Sequence, residues 1–463
     1  MGEELIISIS GMRGIVGENL TASIAAEYGC AFGEYLKSKE AAGKRRSVCI
    51  GRDSRRSGPM LSSAVTAGLC SVGVDVVDIG IVPIAGVGVM VRHLGCAGGV
   101  VITASHNPIE YNGIKLLLGN GMAPQANQAE QIRELFLQRD FELVDSTACG
   151  QVSLRQRGSD IHIDKVLAIV DRQSIAARRF KVVLDSVIGA GGAVTRELLA
   201  ALGCEVCAIN YEPTGIFAHG PEPLAENVTE LCTAVRDKGA EIGFAQDPDA
   251  DRLAIVDEKG NYIGEEYTLA LAAKYMFSKK SGKAATNLST SRMIDEIARE
   301  AGGEVIRTPV GEANVAAAMV EHDCIIGGEG NGGVIDPRVG LTRDSLVGIA
   351  LVLQLMAETG RTVSELVGEI GRYYMTKHKF AADRAQAGRI LEAARRVFSA
   401  ARVDRRDGCR FDFEDGWVHI RSSNTEPVMR AIVEAKDQDT AQRYVDAVMA
   451  IRGEIVDKDA DVR

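Results

Sequence analysis

Asp247, Asp249 and Asp251 recur at every second position of Gln246-Asp247-Pro248-Asp249-Ala250-Asp251-Arg252. In an extended loop that period turns all three carboxylates to one side. Convergent carboxylates repel one another unless a cation joins them, and hard oxygen ligands suit Mg²⁺. An EF-hand is excluded, because Arg252 stands where that loop needs glycine and residues 253–256 read as a buried strand. A solvated acidic turn is the plainer alternative. The adjoining arginine and the apolar strand favour a metal.

Three further stretches carry chemistry. In Val100-Val101-Ile102-Thr103-Ala104-Ser105-His106-Asn107-Pro108 an apolar strand breaks into a polar loop, and Pro108 keeps Asn107 out of a helix. Ser105 beside His106 is a candidate nucleophile or phosphate carrier. Taken alone, the pair reads equally as a turn whose side chains bond their own backbone, and no nucleophile elbow surrounds it. In Ile325-Ile326-Gly327-Gly328-Glu329-Gly330-Asn331-Gly332-Gly333 a strand enters a glycine-dense loop with one acid and one amide. Glycines admit a ligand closely, and Glu329 with Asn331 suits the paired hydroxyls of a sugar. In Arg421-Ser422-Ser423-Asn424-Thr425-Glu426-Pro427, followed by Arg430, cations, hydroxyls and backbone amides make an anion nest suited to phosphate. Arg13, in a glycine-flanked loop, and Lys115 are cations that a phosphoryl group on Ser105 would need. Lys115 becomes a proton donor or acceptor if its pKa is lowered.

These loops need elements to position them. Three segments repeat the order strand, polar or glycine loop, helix, glycine, strand. The first runs from strand 47–50 to strand 74–79, the second from 182–184 to 204–209, and the third from 284–288 to 304–307. Each predicts a βαβ unit with a right-handed crossover. The last part differs: an arginine-rich amphipathic helix over 384–401, a hairpin over 411–420 through Glu414-Asp415-Gly416, a strand over 428–435 and a helix over 439–449. The expected fold class is α/β, with three similar α/β domains and a smaller α+β C-terminal domain. The expected domains are 1–152, 153–254, 255–372 and 373–463, with linkers near 145–160, 250–260 and 365–380.

Composition sets the outer bounds. The 463 residues are 46% hydrophobic and 25% charged, ordinary for a globular chain of several domains. With 53 basic against 63 acidic residues the net charge is −10 and no basic block exists, so nucleic acid and anionic membranes are poor partners. The start Met1-Gly2-Glu3-Glu4-Leu5-Ile6 is acidic, unlike an export signal, and the longest mostly apolar run, 346–356, is too short for a bilayer. The 10 cysteines are expected to be reduced thiols of a cytoplasmic protein. Cys204 and Cys207 lack the second pair a metal site needs.

Together, the four loops in this order resemble those of the α-D-phosphohexomutases, and the resemblance covers essentially the whole chain. TASHNP resembles the family's phosphoserine loop, DPDADR its metal loop, GEGNGG its sugar-recognition loop and RSSNTEP its phosphate loop. The resemblance implies four domains around a central cleft, with one loop from each. It implies that Ser105 carries phosphate and that one Mg²⁺ binds Asp247, Asp249, Asp251 and the seryl group. It also implies catalytic roles for Arg13 and Lys115, with His106 secondary, and a hexose 1,6-bisphosphate activator. Arg252, Glu329, Asn331, Arg421, Ser423, Asn424, Thr425 and Arg430 would hold the phosphorylated hexose, in a monomer or homodimer. Residues 8–14, 311–315 and 327–334 look like a phosphoglucosamine mutase subgroup, implying exchange of glucosamine 6-phosphate and glucosamine 1-phosphate for UDP-N-acetylglucosamine synthesis. Gly333, where many bacterial members have histidine, and Asn424, where that type more often has glycine, keep a phosphomannomutase/phosphoglucomutase open. A phosphoserine hydrolase is disfavoured, since it has no use for a sugar grip beside a separate phosphate nest. A non-catalytic sugar-phosphate binder is disfavoured too, since it would not need Ser105, Lys115 and all three aspartates.

Overall fold

The computed structural model describes residues 5–9, 11–39, 46–155, 157–423 and 428–457. Among them the strands form four sheets. The three expected βαβ units are present and parallel: Ser47–Arg52 with Asp75–Ile81, Lys181–Asp185 with Glu205–Ile209, and Lys283–Asn287 with Glu304–Thr308.

The repeat extends beyond those units. In each of the first three sheets the central strand also pairs in parallel with a third strand: Gly98–Ile102, Ile242–Gln246 and Ile326–Glu329 respectively. Each third strand then turns back through a hairpin into an antiparallel neighbour, Tyr111–Leu118, Leu253–Val256 and Gly333–Ile335. The hairpin tips are residues 103–110, 247–252 and 330–332. They hold the same position in three copies of one topology, beyond the carboxyl ends of parallel strands, where open α/β sheets place ligands. The first sheet adds Gly11–Ile15, whose Arg13 lies opposite Gly113.

The fourth sheet is wholly antiparallel, in the order Tyr374–Ala381, Val428–Ala435, Gly416–Ser422, Cys409–Asp412, Arg402–Asp404. The helices Arg384–Val397 and Gln438–Arg452 accompany it. The first of these ends at Val397, short of the expected 401, and a separate short strand occupies Arg402–Asp404.

The linker expected near 250–260 cannot begin before Val256. Leu253–Val256 is a fully buried strand of the second sheet, so the expected boundary at 254 falls inside it. Likewise Val152–Leu154 pairs with Asp75–Ile81 across the expected boundary at 152. The second and third sheets share one apolar core, in which Val182, Leu184 and Phe244 meet Leu269, Val334 and the helix Ser345–Thr359. That helix is buried from Ser345 to Met356, which accounts for its almost uniformly apolar sequence. Among the described residues no single helix is long and apolar enough to cross a membrane.

Candidate active site

The acidic hairpin is the hub. The Asp249 carbonyl accepts from Ile84 N of the first sheet's domain at 3.1 Å, and the Ala250 carbonyl accepts from Ser345 N and Oγ at 3.2 and 2.7 Å. Leu253 N donates to Gly332 O of the sugar turn at 3.0 Å. A Cβ on Gly332 would lie 2.3 Å from Leu253 O, so that turn must be glycine where it lies on the acidic hairpin. The loop is not extended as expected. Ala250 sits at φ 55°, and Asp247 Oδ1 accepts from Asp251 N and Arg252 N, both at 3.1 Å. The curl still gathers the carboxylates: one oxygen from each of Asp247, Asp249 and Asp251 lies within 4.8 Å of the others, and all three residues are fully buried. Asp249 Oδ1 and Asp251 Oδ1 are buried without a hydrogen-bond partner among the described residues. Three converging carboxylates, two of them with an unpartnered buried oxygen, fit a divalent cation.

Ser105 reaches this cluster from the first hairpin. Its Oγ donates to Asp247 Oδ2 at 2.8 Å and lies 3.3 Å from His106 Nδ1. Ser105 adopts φ 49°, a left-handed conformation that costs a non-glycine residue about 1–3 kcal/mol unless its surroundings hold it. They do. Arg55, fully buried, donates to the carbonyls of Ser105, Asn107 and Pro108 at 2.7 Å and of Tyr111 at 3.0 Å. Its Nε bonds Asp53 Oδ2 at 3.1 Å, and Phe217 of the second domain stacks 4.8 Å from the guanidinium. Thr103 Oγ1 donates to the same Asp53 oxygen at 2.7 Å and accepts from Ser105 N at 2.9 Å.

Cations bracket the carboxylates. Lys115 Nζ lies 2.7 Å from Asp249 Oδ2 and 3.7 Å from Asp251 Oδ2. Burial alone would lower its pKa, but those two aspartates hold it above the usual lysine value. The lowered value on which a role as proton donor or acceptor was made to depend is not met, and the ammonium stays charged. Burial likewise opposes ionisation of Asp249, yet Lys115 brings it down to about 2. Burial and the Asp251 and Asp249 charges push Asp247 well up. Burial, then Arg252, lowers His106 to about 2, so its imidazole is neutral. Arg13 Nη1 donates to Asn107 Oδ1 at 2.8 Å, and Arg252 Nη1 pairs with Glu222 Oε1 at 2.6 Å.

The third hairpin brings Glu329. Its Oε1 accepts from Asn287 Nδ2 at 2.7 Å and Gly311 N at 3.2 Å, and its Oε2 from Arg343 Nη1 at 2.8 Å. Asn331 Oδ1 is buried with no partner among the described residues. The fourth sheet stands apart from the acidic cluster in these contacts and docks on the third domain, through Ser289 Oγ to His419 Nδ1 at 2.9 Å and Arg292 N to Glu434 Oε1 at 3.0 Å. Arg421, read as a phosphate ligand, is buried with its Nε on Asp407 Oδ2 at 2.9 Å, and exposed Arg430 lies opposite it. Ser423 N donates to Val428 O at 2.8 Å. Asn424 and Thr425 lie outside the described residues.

Comparison with known proteins is consistent with this geometry. Four models for phosphoglucomutase/phosphomannomutase match in chain order: alpha/beta/alpha domain I over 5–143, domain II over 160–260, domain III over 264–373 and the C-terminal domain over 378–451. A phosphoglucomutase/phosphomannomutase of Thermococcus kodakarensis is 40% identical, over 94% of this chain and 96% of that one. This chain belongs to the α-D-phosphohexomutase family. It is therefore a phosphohexomutase, an isomerase. A probable phosphoglucosamine mutase of Methanopyrus kandleri is 38% identical to this phosphohexomutase, over 96% of each chain. A crystal structure of a phosphoglucomutase/phosphomannomutase family protein from Burkholderia thailandensis superposes with TM-score 0.85 at 28% identity, covering 97% of this chain and 98% of that one.

Sequence reasoning found the residues at the hairpin tips and missed those that hold them. Asp53, Arg55, Asn287 and Arg343 were not singled out. The one local signal was Asp53-Ser54-Arg55 at a strand end, an acid and a base two residues apart before a helix.

Proposed function

We propose that this phosphohexomutase interconverts glucosamine 6-phosphate and glucosamine 1-phosphate through a phosphorylated Ser105 and a bisphosphorylated sugar, supplying UDP-N-acetylglucosamine synthesis in the cytoplasm. The observation that carries the mutase reading is the Ser105 hydroxyl bonded at 2.8 Å to an aspartate of the acidic cluster. It sets a phosphoryl carrier beside a cation site, and phosphoryl transfer needs positioning and charge more than covalent help. Asp247, Asp249 and Asp251 would hold Mg²⁺, which supplies positive charge against the transferring group.

The chain's own residues do the rest. Arg55 and Thr103 fix the Ser105 backbone. Lys115, held charged by Asp249 and Asp251, donates to phosphoryl oxygens and protonates the oxygen that phosphate leaves, and the proton of the attacking hydroxyl returns to Lys115, so each transfer is proton-neutral. Arg13, placed by Asn107, offsets charge on the same group. Glu329, with Asn331 beside it, accepts the sugar hydroxyls common to both orientations of the intermediate. Arg421, Ser423, Asn424, Thr425 and Arg430 hold the phosphate that is not transferring, with hexose 1,6-bisphosphate restoring any lost phosphoserine.

Two observations support an amino sugar. Curated relatives at 38%, 37% and 36% identity are named probable phosphoglucosamine mutases. Beside the sugar turn there is an acid excess, with buried Glu329 and half-buried Glu312 both paired to one guanidinium, which suits a sugar bearing an ammonium group. The relative at 40% identity supports the second reading, a phosphoglucomutase/phosphomannomutase. The test compares kcat/KM for glucosamine 1-phosphate, mannose 1-phosphate and glucose 1-phosphate, with Mg²⁺ and catalytic hexose bisphosphate supplied. Glucosamine 1-phosphate should rank first; mannose or glucose 1-phosphate ranking first refutes the assignment.

A further inference from the structure

Arg343 has no part in the reaction as described above, yet it is buried and each of its three guanidinium nitrogens meets a different carboxylate. Nη2 lies 2.5 Å from Asp251 Oδ2, Nη1 2.8 Å from Glu329 Oε2 and Nε 2.8 Å from Glu312 Oε2. The three acids belong to the acidic hairpin, the sugar hairpin and the start of the helix Glu312–Glu321. Gly333 makes room for the side chain: a Cβ there would lie 2.2 Å from Arg343 Cδ and 2.8 Å from Cγ. The arginine thus passes over the base of the sugar turn along a channel that only glycine leaves open.

We propose that Arg343 is a positioning residue that holds Glu329 for the sugar hydroxyls while competing with the cation for Asp251, so that one guanidinium sets both sugar grip and metal affinity. This rests on the reading of the aspartates as metal ligands and of Glu329 as the sugar acceptor. The fork explains why an arginine is required. Its planar donors bond several acids at once, whereas a lysine presents a single point charge. Removing the guanidinium takes away a cation adjoining Asp251, which favours Mg²⁺. It also leaves Glu329 with only its Oε1 partners, so its other oxygen, Oε2, is no longer fixed for the sugar.

The two ligands are therefore expected to respond in opposite directions, a signature that general structural damage does not produce. By calorimetric titration, Arg343→Met should bind Mg²⁺ three- to tenfold more tightly than the wild type and glucose 1-phosphate at least tenfold more weakly. Arg343→Lys, which keeps the charge and loses the fork, should bind Mg²⁺ within about threefold of the wild type and still bind glucose 1-phosphate at least fivefold more weakly. Unchanged or weaker Mg²⁺ binding in Arg343→Met overturns the inference. So does wild-type affinity for glucose 1-phosphate in Arg343→Lys, a result that decides the matter even where Arg343→Met does not fold. A wild-type protein that binds no Mg²⁺ overturns the metal-site reading as well, which separates the two failures.

Discussion

Replacing Arg55 with methionine should loosen the Ser105 loop without unfolding the protein. Arg55 makes four bonds to loop carbonyls and one ion pair to Asp53, with neither side chain of that pair exposed. Orphaned buried polar groups cost about 1–3 kcal/mol each. The carbonyls around Pro108 lie in an exposed stretch and can rehydrate, so the full sum does not apply. Asp53 cannot, and removing one partner of a buried pair costs about 3–5 kcal/mol. At about 1.4 kcal/mol per decade, that raises the opening equilibrium of the loop by roughly two to three and a half decades. A global unfolding curve is the wrong readout, because four domains do not unfold as two states. Hydrogen exchange is the right one. Ser105 N is bonded to Thr103 Oγ1, Asn107 N to Ala104 O and Tyr111 N to Pro108 O, and all three bonds depend on the loop staying closed. Arg55→Met should exchange these amides at least a hundredfold faster, with a lower kcat and a KM for sugar phosphate within a fewfold of the wild type. Arg55→Lys, which keeps a charge for Asp53, should recover part of the protection. Protection of residues 103–111 within tenfold of the wild type in Arg55→Met would refute the clamp.

Three other expectations follow from the site. Ser105→Ala should lower turnover by orders of magnitude, with an unchanged circular dichroism spectrum and no phosphoryl adduct in the intact mass; an adduct that persists at another residue counts against Ser105. Adding Mg²⁺ to chelator-treated protein should raise the melting temperature, since a ligand at a hundred times its Kd contributes about 2.7 kcal/mol; Asp249→Asn should lose most of that rise, and an equal rise in both proteins removes the aspartates as ligands. His219 Nε2 donates to Asp185 Oδ2 at 3.0 Å, and although burial opposes its charge, that carboxylate raises its pKa above the ordinary 6.5. A raised folded pKa means stability that is present in full below about pH 6.5 and lost as pH climbs through the folded value. Between pH 6 and pH 8 the wild type should therefore lose more thermal stability than His219→Gln, and a larger loss in the variant contradicts the pairing.

The hairpin tips were legible because each is a local signal: alternating aspartates, a serine before an Asn-Pro, a glycine cluster around one glutamate. Their convergence had a different origin. It depends on the third parallel strand and its antiparallel return in each sheet, and Gly333–Ile335 is only three residues long, too short to leave a period in the sequence. The middle boundary was placed too early for a related reason. The 250–260 stretch follows a polar turn and resembles a linker, but Leu253–Val256 closes the second sheet and lies in the core shared with the third.

The residues that sequence reading missed have one property in common: each acts on a loop distant in the chain. Arg55 binds carbonyls 50 to 56 positions away, and Arg343 meets Asp251 across 92. An arginine in either place looks like a surface charge until the sheets bring its acids and carbonyls together. Composition contains only an indirect trace of them, in the glycines. Gly332 is small because the acidic hairpin lies on it, and Gly333 because Arg343 crosses it. The glycine cluster read as room for a ligand is therefore partly room for the protein's own backbone and for one arginine. Gly333→Ala and Arg343→Ala should then be coupled: the alanine at 333 should be costly in the wild type and much less so once the arginine's Cγ and Cδ are gone, and additive effects on melting temperature would contradict the steric assignment.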